Sequence, residues 1–183
     1  MTSPIPTNLD GVVSRALTTH RDERGWLSEI FRLEWPTGLA PVQWNAVQSA
    51  AGVLRGVHVH VHHTDYIAIL QGRASFGLHD LRPASPTRGR AALVEMSSER
   101  PATLTIPPGV AHGFYFHEPT LLVYGVTAYW RTDDEMGCHW ADPDLGIPWP
   151  TSHPALSPRD AAAGRLSDLA ETYRRRAGAD GRP

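Results

Sequence analysis

The stretch 66-YIAILQGRASFGLHDL-81 holds two apolar runs, 66-YIAIL-70 and 74-ASFGLHDL-81, separated by Gly72. Short runs rich in branched and aromatic residues, bounded by a turn signal, read as strands. Side chains alternate along a strand, so Phe76 and Leu78 share a face. Outward from this pair the same grammar repeats. Towards the C-terminus come the loop 83-PASPTRG-89, the strand-like runs 91-AALVEM-96 and 102-ATLTI-106, a Pro-Pro-Gly turn at 107–109, and 121-LLVYGVTAYW-130. Towards the N-terminus the chain reads as strands and turns, with 22-DERG-25 as a turn before the mixed run 26-WLSEIFRLEW-35. Short β-runs at this spacing predict an all-β sandwich or barrel, most directly a jelly roll.

Only the C-terminal part reads as helical. Ser157 is placed to cap, Pro158 suits a first helical position, and Asp160 stands where a capping-box acid would. Leu166, Leu169 and Tyr173 then form a stripe able to pack on a sheet. The ending 174-RRRAGADGRP-183 is expected to fray.

The 183 residues fit one domain, with 16 glycines and 16 prolines spread along it in keeping with many turns. A formal net charge of −2 gives neither nucleic acid nor an acidic membrane an electrostatic foothold. Neither a signal-peptide-like start nor a membrane-length apolar run is present, so the expectation is a soluble cytoplasmic protein. Cys138 is the single cysteine, which excludes an intramolecular disulfide and a cysteine-based zinc site. All 17 basic residues are arginines, so no lysine is available as a Schiff base or an ammonium electrophile.

The residues richest in chemistry lie in 52-GVLRGVHVHVHHTD-65, which carries His58, His60, His62, His63 and Asp65. On a strand, His58, His60 and His62 would share a face and His63 would oppose them unless the chain had turned. Gly52, His58, His60, Asp65 and Gly72 are spaced as in the first metal motif of cupins, with aspartate in the usual glutamate place. Pro107, Gly109 and His112 resemble the core of the second motif, without its leading glycine and closing asparagine. Imidazoles with one carboxylate suit Fe, Mn, Ni or Zn, which makes His58, His60, Asp65 and His112 the metal candidates. The plainer reading is a polar pocket lining without metal.

Longer segments carry a more specific resemblance. The pieces 22-DERG-25, 53-VLRGVH-58, 80-DLRPASPTRG-89, 106-IPPGVAHGF-114, 142-DPDLGIPWP-150 and 156-LSPRD-160 resemble, in order and at nearly the same spacing, the dTDP-4-dehydrorhamnose 3,5-epimerase family, a branch of the cupins. The resemblance runs from about residue 20 to 162 and implies a cupin-type jelly roll, a double-stranded β-helix, with N-terminal strands. It implies a nucleotide-linked (dTDP) 4-keto-6-deoxyhexose as substrate, epimerised at C3 and/or C5 in deoxysugar biosynthesis, with no cofactor required. A proton alpha to the ketone is removed, the enolate oxygen is stabilised, and a proton returns to the opposite face. By resemblance His58 is the base, Asp160 its carboxylate partner and Tyr124 the acid. Arg24 and Glu29 match nucleotide contacts, Gln43 and Asn45 a polar segment beside the site, and Tyr129 an aromatic residue near sugar and base. Arg55, His60 and His112 fall at positions lining the sugar pocket. The family dimerises partly through its N-terminal strands, which implies a homodimer.

The pattern breaks inside the pocket. The family's lysine in the strand after the base histidine, which helps hold charge on the sugar O4, aligns with Asp65. A nearby arginine becomes Ala68, the lysine after the Tyr124 position becomes Gly125, the glutamine two places after the base becomes His60, and an aspartate becomes Phe76. Three readings follow. A metal on His60, Asp65 and His112, with or without His58 or His62, replaces the ammonium, as in a metal-dependent cupin isomerase or dioxygenase. Alternatively, protonated His60, His62 or His63 stabilises O4. In the third reading the pocket only binds a sugar nucleotide.

Overall fold

The computed structural model describes residues 4–179. Along the chain come strands β1 (Pro4–Pro6), β2 (Val13–Ala16), β3 (Thr19–Asp22), β4 (Gly25–Ser28), β5 (Gln43–Ser49), β6 (Leu54–Val59) and β7 (Asp65–Gln71). They are followed by β8 (Arg73–Asp80), β9 (Ala91–Ser97), β10 (Ala102–Ile106), β11 (Val110–Phe116), β12 (Thr120–Val126) and β13 (Met136–Gly137). Helices α1 (Pro158–Ala161) and α2 (Leu166–Ala179) close the chain.

The quoted stretch sets the architecture, because β7 and β8 lie in different sheets. One sheet runs β1-β2-β10-β7-β12-β5, the other β13-β6-β11-β8-β9, and β3-β4 form a separate hairpin. The chain therefore turns a corner at Gly72, whose φ is +84°. A Cβ there would lie 2.6 Å from the Pro119 carbonyl oxygen and from Thr120 Oγ1, so no side chain fits at the corner. Antiparallel pairing with sheet-switching connections is the jelly-roll arrangement expected from the sequence.

Ile67 and Ile69 of β7 meet Phe76 and Leu78 of β8, with Leu104, Ile106, Phe116 and Leu122, in one buried cluster. Phe76 and Leu78 do share that face, but β8 is buried on its other face as well. There His79 Nδ1 bonds the Leu145 carbonyl at 2.8 Å. A Cβ on Gly77 would stand 2.4 Å from Trp149 Cη2. The stripe Leu166, Leu169 and Tyr173 packs onto this outer face with Val57, Val59 and Leu81 in a second cluster.

Two expectations are corrected. The run 121–130 is strand only to Val126, because its ladder partners end there, at Gln43 on one side and Asp65 on the other. The C-terminal segment is two helices, and residues 174–179 expected to fray are helical in α2, with Arg174 Nε donating to the Ala170 carbonyl at 3.2 Å. Positions 180–183 lie outside the described residues.

Asp80, fully buried at the end of β8, ties down the loop over 83–89. Its carboxylate accepts from Arg82 Nε (2.9 Å) and Nη2 (2.8 Å), Ser85 Oγ (2.5 Å) and Thr87 Oγ1 (2.7 Å). Burial alone would raise this carboxyl, but these donors outweigh it and bring it down to about 2. A group depressed from 3.8 adds stability above about pH 4 and loses it as pH falls through about 2. Asp80→Asn is therefore expected to lower stability by about 2 kcal/mol at pH 7. In urea titrations its deficit should shrink as pH is lowered towards 2, because the wild type loses the same bonds there.

Candidate active site

β6 and β11 pair so that His58 stands opposite His112. The strand β6 is held close to β11 at Gly56, where the register shifts between His112 and Gly113. A cleft of about 530 Å³ opens over these strands, lined among others by Arg55, His58, His60, Asp65, His112, Tyr124, Glu135, Arg159 and Asp160.

His58 Nε2 lies 2.8 Å from Asp160 Oδ1. Asp160 is buried on α1, and its Oδ2 also accepts from the Gly56 N–H at 3.4 Å. Ser157 Oγ accepts the Asp160 N–H at 3.1 Å, so the serine caps α1 while the aspartate side chain turns to the histidine. Burial would raise Asp160, but the bond to His58 and the His58 charge lead the effects that hold it below the usual carboxylate range. An ionised Asp160 accepts the Nε2 proton and fixes the tautomer, which leaves Nδ1 as the basic nitrogen. Arg159 Nη2 stands 2.6 Å from the same Nε2; both are donors when Nε2 keeps its proton for Asp160, so in that tautomer the guanidinium must turn to Glu135 Oε2, to which it donates at 2.7 Å. Glu135 also accepts from Trp130 Nε1 at 2.7 Å, and its Oε2 lies 3.9 Å from His58 Nδ1. Burial opposes the charge of Glu135, but Trp130 and Arg159 outweigh it and keep its pKa low.

Glu135 and Arg159 were not singled out from the sequence. Arg159 lies inside the LSPRD motif, but Glu135 sits in a loop with no periodicity or spacing to mark it.

Tyr124 lines the same cleft from the opposite sheet, on β12 beside Asn45 of β5. Burial raises its phenol, and the charge of Asp65 adds to the shift. Gln43 Nε2 donates to Asn45 Oδ1 at 3.0 Å, and Gln43 Oε1 accepts the Trp130 N–H at 3.1 Å. Arg55 Nε donates to Ser49 Oγ at 2.9 Å. Five residues are not brought to the cleft lining. Gln43 and Asn45 bond each other on β5 beside it; Arg24 is on the β3–β4 hairpin, exposed and paired with Asp22 at 2.5 Å; Glu29 lines a separate cavity; Tyr129 is 71% exposed.

The histidine run divides differently from a regular strand. β6 ends at Val59 and the chain turns, so His62 is exposed while His63 folds inward, its ring stacked on His60 at 4.1 Å. His60, Asp65 and His112 offer ligand atoms within 4.8 Å of one another, as do His60, His63 and Asp134; His58 belongs to neither group. Burial and the neighbouring His63 push His60 down to about 4, and burial pushes His112 well below its ordinary value. Burial lifts Asp65 to about 7. Burial works against a charged His63, but Asp134 and Asp65 outweigh it and raise that group. With an aspartate whose charge is disfavoured by burial and two neutral imidazoles, this end of the cleft is less anionic than Asp65 alone suggests.

Fold and cleft together define a cupin-type jelly-roll protein carrying a carboxylate-oriented histidine. A sequence profile for dTDP-4-dehydrorhamnose 3,5-epimerase matches residues 6–168. The dTDP-4-dehydrorhamnose 3,5-epimerase of Neisseria gonorrhoeae is 36% identical over 149 residues; these are 77% of this chain but 45% of that protein, so the chain spans less than half of its length. The protein of the same name from Sinorhizobium fredii is 33% identical over 163 residues, 83% of each chain. A 3'-monoepimerase from Streptomyces bikiniensis, solved in complex with dTDP-quinovose, superposes with a TM-score of 0.84 at 29% identity, covering 96% of both chains. The chain belongs to the dTDP-4-dehydrorhamnose 3,5-epimerase family. Among the described residues no helix is long and apolar enough to cross a membrane.

Proposed function

We propose that the chain epimerises a dTDP-linked 4-keto-6-deoxyhexose at C3 and/or C5. The observation that carries this reading is the His58–Asp160 pair at 2.8 Å in a cleft that also holds Tyr124. Nδ1 of His58 removes the proton alpha to the ketone, and the electron pair moves onto the ketone oxygen. Asp160 stabilises the imidazolium that forms, and Arg159 with Glu135 fixes the rim around it. The Tyr124 phenol, kept protonated by burial, returns a proton from the opposite sheet. In this reading each proton passes directly between a side chain and the sugar.

We further propose a cytoplasmic homodimer. The β3–β4 hairpin presents Trp26 at 41% and Leu27 at 63% exposure, with Arg24 beside them. Arg24 is exposed and absent from this chain's own cleft lining, and a hairpin laid across the cleft of a second copy would bring it to a nucleotide there.

Incubation with dTDP-4-keto-6-deoxyglucose, followed by proton NMR, tests the activity. Appearance of the C3, C5 or doubly inverted sugar is expected; recovery of unchanged ketosugar would rule the reading out. Tyr124→Phe is expected to separate the two proton transfers. Deuterium exchange at the abstracted carbon should persist while inverted product falls by about 10²-fold or more. Equal losses of exchange and product would remove Tyr124 from the acid role.

Monoepimerisation is the second reading, supported by similarity to the Streptomyces bikiniensis 3'-monoepimerase.

A further inference from the structure

The buried histidines behind His58 pose a problem of unmatched lone pairs. His112 Nδ1 donates to the Val110 carbonyl at 3.0 Å, so its Nε2 carries a lone pair. That nitrogen faces Asp65 Oδ2 at 3.7 Å, a second electron-rich atom, with both side chains 6% exposed. His60 adds a buried Nδ1 without a hydrogen-bond partner, on a residue 7% exposed. Imidazole, imidazole and carboxylate thus converge with ligand atoms inside 4.8 Å. Ligands about 2.0–2.2 Å from one ion lie roughly 3–4 Å apart, so the group needs only a small inward adjustment to close on a cation.

The surrounding residues are arranged as an outer shell would be. A backbone carbonyl fixes the tautomer of His112. Asp134 accepts the Val61 N–H at 2.9 Å and the His62 N–H at 3.4 Å, so it is spent on the backbone and holds His63 at 3.5 Å. His63 in turn reaches Asp65 Oδ1 at 3.8 Å. This favours His60, Asp65 and His112 over the group built on Asp134.

We propose that His60, Asp65 and His112 form a binding site for a divalent first-row transition ion at the inner end of the cleft, leaving His58 free as base. Two imidazoles and a carboxylate are the donor set such ions take, with positions left open towards the cleft. Resting on the epimerase reading, the ion supplies positive charge for a ketosugar oxygen at the inner end of the cleft, where this lysine-free chain has no ammonium to offer.

The test is a Co²⁺ titration of protein stripped with EDTA, read by visible absorption and calorimetry. One equivalent per chain is expected, with a ligand-field band and a raised melting temperature. Asp65→Asn and His112→Gln should each weaken binding by about 100-fold or more, and His58→Asn should bind as the wild type does. No saturable binding by the wild type would overturn the proposal, whatever the folding of the variants. So would binding unchanged in both Asp65→Asn and His112→Gln, or binding abolished by His58→Asn. Sugar-proton exchange by stripped protein that takes up no Co²⁺ would sink the metal site and leave the epimerase. Stoichiometric Co²⁺ without exchange in any preparation would do the reverse.

Discussion

Replacing His58 by asparagine is expected to lower proton exchange on dTDP-4-keto-6-deoxyglucose by about 10²–10⁴-fold, the range of a lost general base. Asparagine keeps an N–H for Asp160 but has no basic nitrogen to replace Nδ1. His58 sits at the rim with its side chain 22% exposed, so the substitution opens no cavity in the core. The melting temperature should stay close to that of the wild type, and the loss should appear in kcat rather than KM. A variant with full exchange would assign the base elsewhere in the cleft.

Gly56→Ala is expected to be strongly destabilising, on the order of 4 kcal/mol. Gly56 has a φ of +106°, and a Cβ would fall 2.7 Å from the His112 carbonyl oxygen and 2.8 Å from Gly113 Cα. Both obstacles are backbone of β11, so relief requires moving the strand pair that sets His58 against His112. Gly25→Ala is the matched control: its φ is +135°, but a Cβ meets nothing within 4 Å. That change should cost only the backbone strain, about 1–3 kcal/mol. Urea unfolding of the two variants reads the difference directly, and equal losses would contradict the close-approach argument.

The jelly roll was legible because its cues are local: alternating apolar runs, punctuated by Gly72 and the Pro-Pro-Gly turn, repeat along the chain. The sheet switch at Gly72 was not, since a glycine between two strands reads alike for a hairpin and a corner. His58 stood out within VLRGVH, whereas its link to Asp160 spans 102 residues and came only through resemblance to a family. The histidine run misled for a physical reason. Alternation was carried past Val59, but no glycine or proline marks the turn that exchanges His62 for His63. Glu135 entered the site through tertiary packing alone, held by Trp130 and Arg159 rather than by any motif. Asp65, which looked like an uncompensated anion in place of a lysine, is buried among histidines and lifted to about 7. Its meaning depends on neighbours that the sequence does not place beside it.

The central claim is that His58 removes a proton alpha to the ketone of a dTDP-linked 4-keto-6-deoxyhexose. Deuterium wash-in measures that step without requiring product to accumulate. With wild-type protein and dTDP-4-keto-6-deoxyglucose in D₂O, NMR should show label entering at C3, C5 or both, and His58→Asn should lose that label. Absence of label at both carbons with folded wild-type protein, whether metal-stripped or metal-loaded, would contradict the account.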